Sequence, residues 1–182
     1  DMVSFTGGLN TGQTIMKAAV STVKRLALEL GGKNPHIIFA DADIDAAIDN
    51  AVTAAFLHSG QVCSAGTRLI VERSIHDGVV KEIVRRAGKI RLGGPADLTA
   101  ETGPLISKSH LEGVTKYVEK GIAEGATLLV GGKRSESSEH ANGWYYLPTV
   151  LDNCNTTMFC VQDESFGPVM TVEVFDTEAE AI

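Results

Sequence analysis

IDAAIDNAVTAAFLHSGQVCSAGTRLIV, residues 44 to 71, decides how this chain is read. Ile44, Ala47, Ile48, Ala51, Val52, Ala55 and Phe56 recur at a 3.6-residue period, which predicts a helix with one apolar face whose alanines allow close approach to a sheet. Arg68 to Val71 reads as a strand. Between the two, Gly60-Gln61-Val62-Cys63-Ser64-Ala65-Gly66 sets one thiol among residues too small to bury it under bulk. Cys63 is therefore open on one side, as a nucleophile needs to be. The competing reading is an inert buried cysteine, the commonest fate of a free thiol, so the surrounding sequence has to decide.

Upstream, Pro35 opens the apolar run His36-Ile37-Ile38-Phe39 and holds Asn34 extended, and Asp41 or Asp43 is placed to cap the helix that follows. Before that, the strand-like run Leu26-Ala27-Leu28 ends at Glu29, directly ahead of Leu30-Gly31-Gly32. A carboxylate at a strand end can serve as a general base near neutral pH. Glu29 and Cys63 sit on separate strand-to-loop junctions and are expected to face one cleft. Nearer the start, Met2 to Phe5 reads as a strand. Thr6 to Gly12 reads as a glycine-rich turn into a helix with Ile15, Ala18, Ala19 and Val23 on its apolar face. Such a turn can offer backbone N–H groups to an anion, although it is not the GxGxxG fingerprint.

Downstream, Ser74-Ile75-His76-Asp77 has the form of a capping box before a helix with Val79, Val80, Ile83, Val84 and Ala87 on one face and a solvated Lys81, Glu82, Arg85, Arg86 face. A second helix uses Leu111, Val114, Val118 and Ile122 and stops near Gly125, giving way to a strand from Ala126 to Val130. Gly131 to Gly143 is a polar surface excursion. Trp144, Tyr145 and Tyr146 read as core or interface ahead of a tunnel lining. Gln162 to Pro168 reads as a turn before the strand Val169 to Phe175. Alternating helix and strand patterns predict an α/β fold with a largely parallel sheet.

With 182 residues, 43% of them hydrophobic, the chain can bury a core, and its formal charge of -7 argues against nucleic acid or an anionic membrane as the main partner. No apolar run approaches the length of about 18 residues that a spanning helix needs. Cys63, Cys154 and Cys160 are a sparse, odd set, which fits a reducing, cytoplasmic setting better than a disulfide framework. Cys154 and Cys160 do not have the spacing of a metal or redox pair, and no metal is expected. His58, five residues before the thiol, reads as structural, whereas Gln61 is the better candidate for substrate contact, with a simple turn role as the equal alternative. Both ends look cut, so the chain is expected to be a piece of a longer polypeptide.

FTGGLNTG, LELGGKNP, GQVCSAG and ESFGPV, in that order and across essentially the whole chain, resemble the NAD(P)-dependent aldehyde dehydrogenase superfamily. The resemblance implies a three-layer α/β catalytic domain over 29–182, incomplete at its end, with 1–28 as the edge of a dinucleotide-binding domain. It implies that Cys63 attacks an aldehyde as thiolate, that hydride passes to NAD, with NADP as the other possibility, and that water activated by Glu29 cleaves the thioester. The Cys63 N–H would help hold the oxyanion. By the same resemblance Gly7, Gly8, Gly12 and Leu30 approach the cofactor, Glu164 contacts its ribose, and Phe166 packs on the nicotinamide. Gly8 stands where many members have serine. Within the superfamily the blocks most resemble the bacterial branch that oxidises betaine aldehyde to glycine betaine, with a homodimer or homotetramer expected for the whole protein. The 182 residues alone are expected to be inactive, because the family's asparagine oxyanion donor lies upstream. The alternatives are a CoA-acylating relative, which Glu29 argues against, a scaffold that keeps the fold without turnover, and a cysteine hydrolase with a histidine base.

Overall fold

Parallel strand pairing, expected from the alternation of patterns, is present in both units into which the chain divides, Asp1–Gly32 and Lys33–Ile182. The computed structural model describes all 182 residues. In the first unit, β1 (Met2–Thr6) and β2 (Arg25–Glu29) flank α1 (Leu9–Ala19). The two strands pair in parallel, from Met2 opposite Arg25 to Thr6 opposite Glu29. Val23, expected on the helix's apolar face, is instead left-handed (φ 50°) and exposed, because the helix tightens into a 3₁₀ turn at Val20–Thr22 and ends there.

The second unit contains β3 (Pro35–Ile38), β4 (Arg68–Glu72), β5 (Thr127–Val130), β6 (Thr149–Asp152) and β7 (Val169–Phe175), in the order β3-β4-β7-β6-β5. The first four are parallel, and β5 runs antiparallel at the edge. Helices α2 (Ile44–Phe56) and α3 (His76–Ala87) pack Ile48, Ala51, Phe56, Val79 and Ile83 against Leu69, Val71, Met170 and Val172 of the sheet. A separate core joins Leu111, Val114 and Val118 of α4 (Lys108–Ala123) to Leu151 and Val169. Short helices α5 (Phe159–Gln162) and α6 (Glu178–Ala181) complete the unit. Two helix-covered cores on one sheet give the expected three-layer α/β fold. Strands covered on both sides read as unbroken apolar runs. The exceptions in β7 are buried Thr171 and buried Glu173, the latter met by Arg68 of the neighbouring strand at 2.5 Å.

Asp43 caps α2 through the Ala46 N–H, as one of the two alternatives required, and Ser107 caps α4 through the His110 N–H. The Ser74 capping box does not form. A 3₁₀ turn at Arg73–Ile75 delays α3 to His76, and the Ser74 hydroxyl donates to Glu72 instead. The charged face of α3 is more than solvated: Glu82 accepts from Arg85 and Arg86, which pull its carboxyl down to about 2, and Arg86 also reaches Asp45 and Asp49 of α2. On α4, Ile122 stays exposed and Tyr117 takes its place inside. Tyr145 and Tyr146 are buried, as a core role requires. The excursion from Gly131 is pinned by a Ser135 to His140 bond and by the stacking of His140 on Tyr145. No helix is long and apolar enough to cross a membrane.

At the start of α3, His76 bonds Asp77 through Nδ1 at 2.9 Å and Asp152 of β6 through Nε2 at 3.0 Å. Burial opposes a charge on this ring, but the two carboxylate bonds outweigh it and raise the His76 pKa. A raised folded-state pKa stabilises fully below the unfolded value near 6.5 and is lost as pH climbs through the folded value. The thermal midpoint is therefore expected to fall as pH rises above the unfolded value near 6.5. His76→Gln should flatten that part of the profile, as followed by melting curves.

Candidate functional site

Asn34, Thr67 and Pro168 end the segments that lead into β3, β4 and β7, which are neighbouring parallel strands, so these segments share one edge of the sheet. The segment into β4 carries Cys63. It starts at an abrupt corner: after Phe56 the residues His58, Ser59 and Gly60 all take left-handed backbone, at φ 51°, 56° and 68°. For the two with side chains this costs about 1 to 2 kcal/mol each. The corner is held by buried Ser59, whose N–H donates to Thr102 Oγ1 at 2.7 Å and whose hydroxyl donates to the Gly103 carbonyl at 2.5 Å. Thr102 Oγ1 in turn donates to the Phe56 carbonyl at the helix end.

Gly60 packs backbone to backbone on Gly167, and a Cβ at Gly60 would occupy the space of the Gly167 carbonyl. A Cβ at Gly167 would stand 2.6 Å from Val114 of α4. The turn before the thiol and the Glu164 to Pro168 turn are thus pressed together. Past the corner, the Gln61 amide donates to the carbonyls of His58 and Pro104 and accepts the Ile106 N–H at 2.9 Å. This side chain, expected to contact substrate, is engaged with main chain and works as a brace. His58 is exposed and serves through its carbonyl.

Cys63 is exposed, whereas Cys154 and Cys160 are buried. Its carbonyl accepts from Asn34 Nδ2 at 2.6 Å, while its N–H donates to no group of the chain. The adjacent Cys160 thiol and burial push the Cys154 thiol up and keep it protonated, with its Sγ–H facing the Leu151 carbonyl at 3.4 Å.

The neighbouring turn presents half-buried Glu164 and a partly exposed Phe166 that is itself left-handed at φ 47°. The Phe166 carbonyl accepts from His110 Nε2 at 2.7 Å. Beside it lies an open cavity of about 460 Å³ lined by His110, Tyr117, Phe159, Asp163, Glu164 and Phe166, among others. Behind Tyr117 the Lys33 Nζ is buried without a hydrogen-bond partner, 5.6 Å from the ring centroid. Burial lowers its pKa to about 8 against the opposing pull of Cys160, Cys154, Glu164 and Glu173.

Within the first unit, Glu29 ends β2 exposed, and its carbonyl accepts the Gly7 N–H at 3.0 Å. Gly7 faces the Phe5 ring and buried Gly12 faces Leu30, where an added Cβ would stand 2.6 and 2.7 Å from those side chains. Both glycines therefore have packing reasons to be small, and the Gly12 N–H is spent on Gly8. Gly8, at the start of α1, has open space where a side chain would be.

Sequence reasoning overlooked three residues of this region. The proline after Asn34 marks it only as extended and says nothing of its side chain. Thr102 lies 43 residues from Ser59 and His110 56 residues from Phe166, and no local pattern marks them.

The fold and this corner define the class: a three-layer α/β domain that exposes one thiol at an edge of its parallel sheet. Residues 1–182 match the model of the aldehyde dehydrogenase family, and the chain belongs to that family. It is 56% identical over 182 residues to the betaine aldehyde dehydrogenase of Bacillus subtilis (strain 168), matching all of this chain and 37% of that one. A structure of betaine aldehyde dehydrogenase from Staphylococcus aureus in complex with NAD+, with a BME-free cysteine, superposes at a TM-score of 0.98 with 50% identity over 100% of this chain and 36% of that one. An apo mutant of the same enzyme with a BME-modified cysteine matches equally, at 0.98 and 50%, again over 100% of this chain and 36% of that one. The chain spans little more than a third of the length of these relatives.

Two outcomes follow for the site. A small alkylating reagent should label Cys63 in the native state and reach Cys154 and Cys160 only after unfolding, as read by peptide mass spectrometry. Gly60→Ala should destabilise the second unit by about 2 to 3 kcal/mol, as measured by denaturant titration.

Proposed function

We propose that the complete protein carrying this chain oxidises an aldehyde, with betaine aldehyde first among candidates, to the carboxylic acid with NAD+. The observation that carries this is Cys63: the one exposed thiol of three, on a turn with an unspent N–H, in a chain of this family. As thiolate it adds to the aldehyde carbonyl, and its N–H is placed to stabilise the oxyanion on the resulting thiohemiacetal. Asn34, by holding the Cys63 carbonyl, fixes the Cys63–Ser64 peptide behind the thiol. Glu29 is assigned the base that activates water for hydrolysis of the thioester, on the strength of LELGGKNP. Support for the substrate is the 56% identity to the Bacillus enzyme, and support for NAD+ is the complex of the Staphylococcus neighbour.

The residues present fit a nicotinamide cofactor: a half-exposed ring, a carboxylate and a cavity beside them are suited to a flat heterocycle and its ribose. Phe166 would hold the former and Glu164 the latter. The glycine turn would act through the backbone at Gly8 and the first turn of α1, with Gly7, Gly12 and Leu30 shaping it. When bound, the cofactor supplies hydride acceptance. Glu164 and Phe166 orient it, and the buried sides of both turns keep the corner rigid while Cys63 reacts. The cytoplasmic setting and a homo-oligomer are part of the same reading.

Steady-state kinetics of the complete protein test this proposal. Cys63→Ala should reduce oxidation by at least ~10³-fold. Glu29→Gln should slow turnover by about 10²- to 10⁴-fold, while a first equivalent of NADH still forms before hydrolysis stalls. Betaine aldehyde should exceed acetaldehyde in kcat/KM by about tenfold or more. Undiminished turnover in Cys63→Ala would refute the mechanism.

A further inference from the structure

We propose that His110 is a positioning residue that fixes the Phe166 ring by gripping its main chain. This rests on the assignment of Phe166 to nicotinamide packing. Phe166 occupies left-handed backbone at φ 47°, a conformation unfavourable for a phenylalanine, so something outside the turn must hold it. Two side chains from α4 do so. Tyr117 donates its hydroxyl to the carbonyls of Cys160 and Asp163, which fixes the start of the turn. His110 donates Nε2–H to the Phe166 carbonyl at 2.7 Å, which fixes its apex. The ring centroids of His110 and Phe166 lie 6.3 Å apart and are tilted by 60°, so the main-chain bond, and not stacking, joins them.

His110 is itself anchored. Its N–H is accepted by Ser107, the cap of α4, and the preceding Ile106 N–H is accepted by Gln61, two residues before Cys63. The brace beside the nucleophile and the grip on Phe166 therefore meet within one short segment, Ile106 to His110. Because the acceptor is a carbonyl, Nε2 carries the proton both in the neutral tautomer that fits here and in the imidazolium. Without His110 the Phe166 carbonyl loses its hold at the apex of the turn, and the ring is less firmly directed.

The test measures NAD+ affinity by calorimetry, and KM and kcat by kinetics, in the complete protein. His110→Ala should weaken NAD+ binding about five- to tenfold, the effect of one lost hydrogen bond, with KM for NAD+ rising more than kcat falls. His110→Phe, which keeps a ring and removes the donor, should do the same and carries the test if the alanine variant does not fold. His110→Gln, whose amide N–H can reach the same carbonyl, should restore most of the affinity. In a Phe166→Ala background, His110→Ala should cause no further loss. Wild-type affinity in His110→Ala or His110→Phe, or an equal loss added on top of Phe166→Ala, would overturn the positioning role alone. Wild-type affinity in Phe166→Ala would instead bring down the nicotinamide assignment, and the positioning role with it.

Discussion

Gly60 lies backbone against backbone on Gly167, and no side chain fits between them. This contact sets the rest of the candidate site. It stops α2 from continuing, because the chain must turn through three left-handed residues to bring Gly60 to that point. It also brings the segment leading into β4 against the segment leading into β7. Two left-handed positions at residues with side chains cost about 1 to 2 kcal/mol each, while each buried hydrogen bond of Ser59 and Thr102 returns about 1 kcal/mol. The corner is therefore close to balanced by its own bonds. Cys63 is presented outward by backbone geometry, with no bulky neighbour needed to aim it.

The sheet explains why these segments meet. β3, β4 and β7 are parallel neighbours, so the residues just before each strand stand side by side, and Asn34, Cys63 and Phe166 all belong to such segments. The two helix-packed cores on opposite faces fix the strands, and α4 adds Val114, Tyr117 and His110 behind the Glu164 turn. Strain at His58, Ser59 and Phe166 is concentrated at this edge, where rigid surroundings can hold it.

Much of this was legible in the residues. Periodicity gave α2, α3 and the run of α4, and short apolar runs gave β3, β4 and β7, because these elements bury one face or two in an ordinary way. The small residues around Cys63 announced an open thiol. The corner itself was not legible, since His58 and Ser59 carry no signal for left-handed backbone and the residues that enforce it, Thr102 and Gly103, lie more than 40 positions away. Gln61 left a substrate contact and a turn role equally open, and its main-chain partners at Pro104 and Ile106, which favour the turn role, lie more than 40 positions away. Ser74 satisfied the capping pattern and lost to a competing acceptor at Glu72. Val23 kept the helical period after the helix had already ended. In each case a contact distant in sequence, or a local competitor, overrode the pattern.

The central claim is that this corner presents Cys63, and neither of the other two thiols, to a carbonyl substrate. Rapid acid quenching of the complete protein during turnover with betaine aldehyde and NAD+, followed by peptide mass spectrometry, tests it most directly. The account predicts an acyl group on the peptide containing Cys63. An acyl group on Cys154 or Cys160, or turnover with all three cysteines unmodified at every quench time, would contradict it.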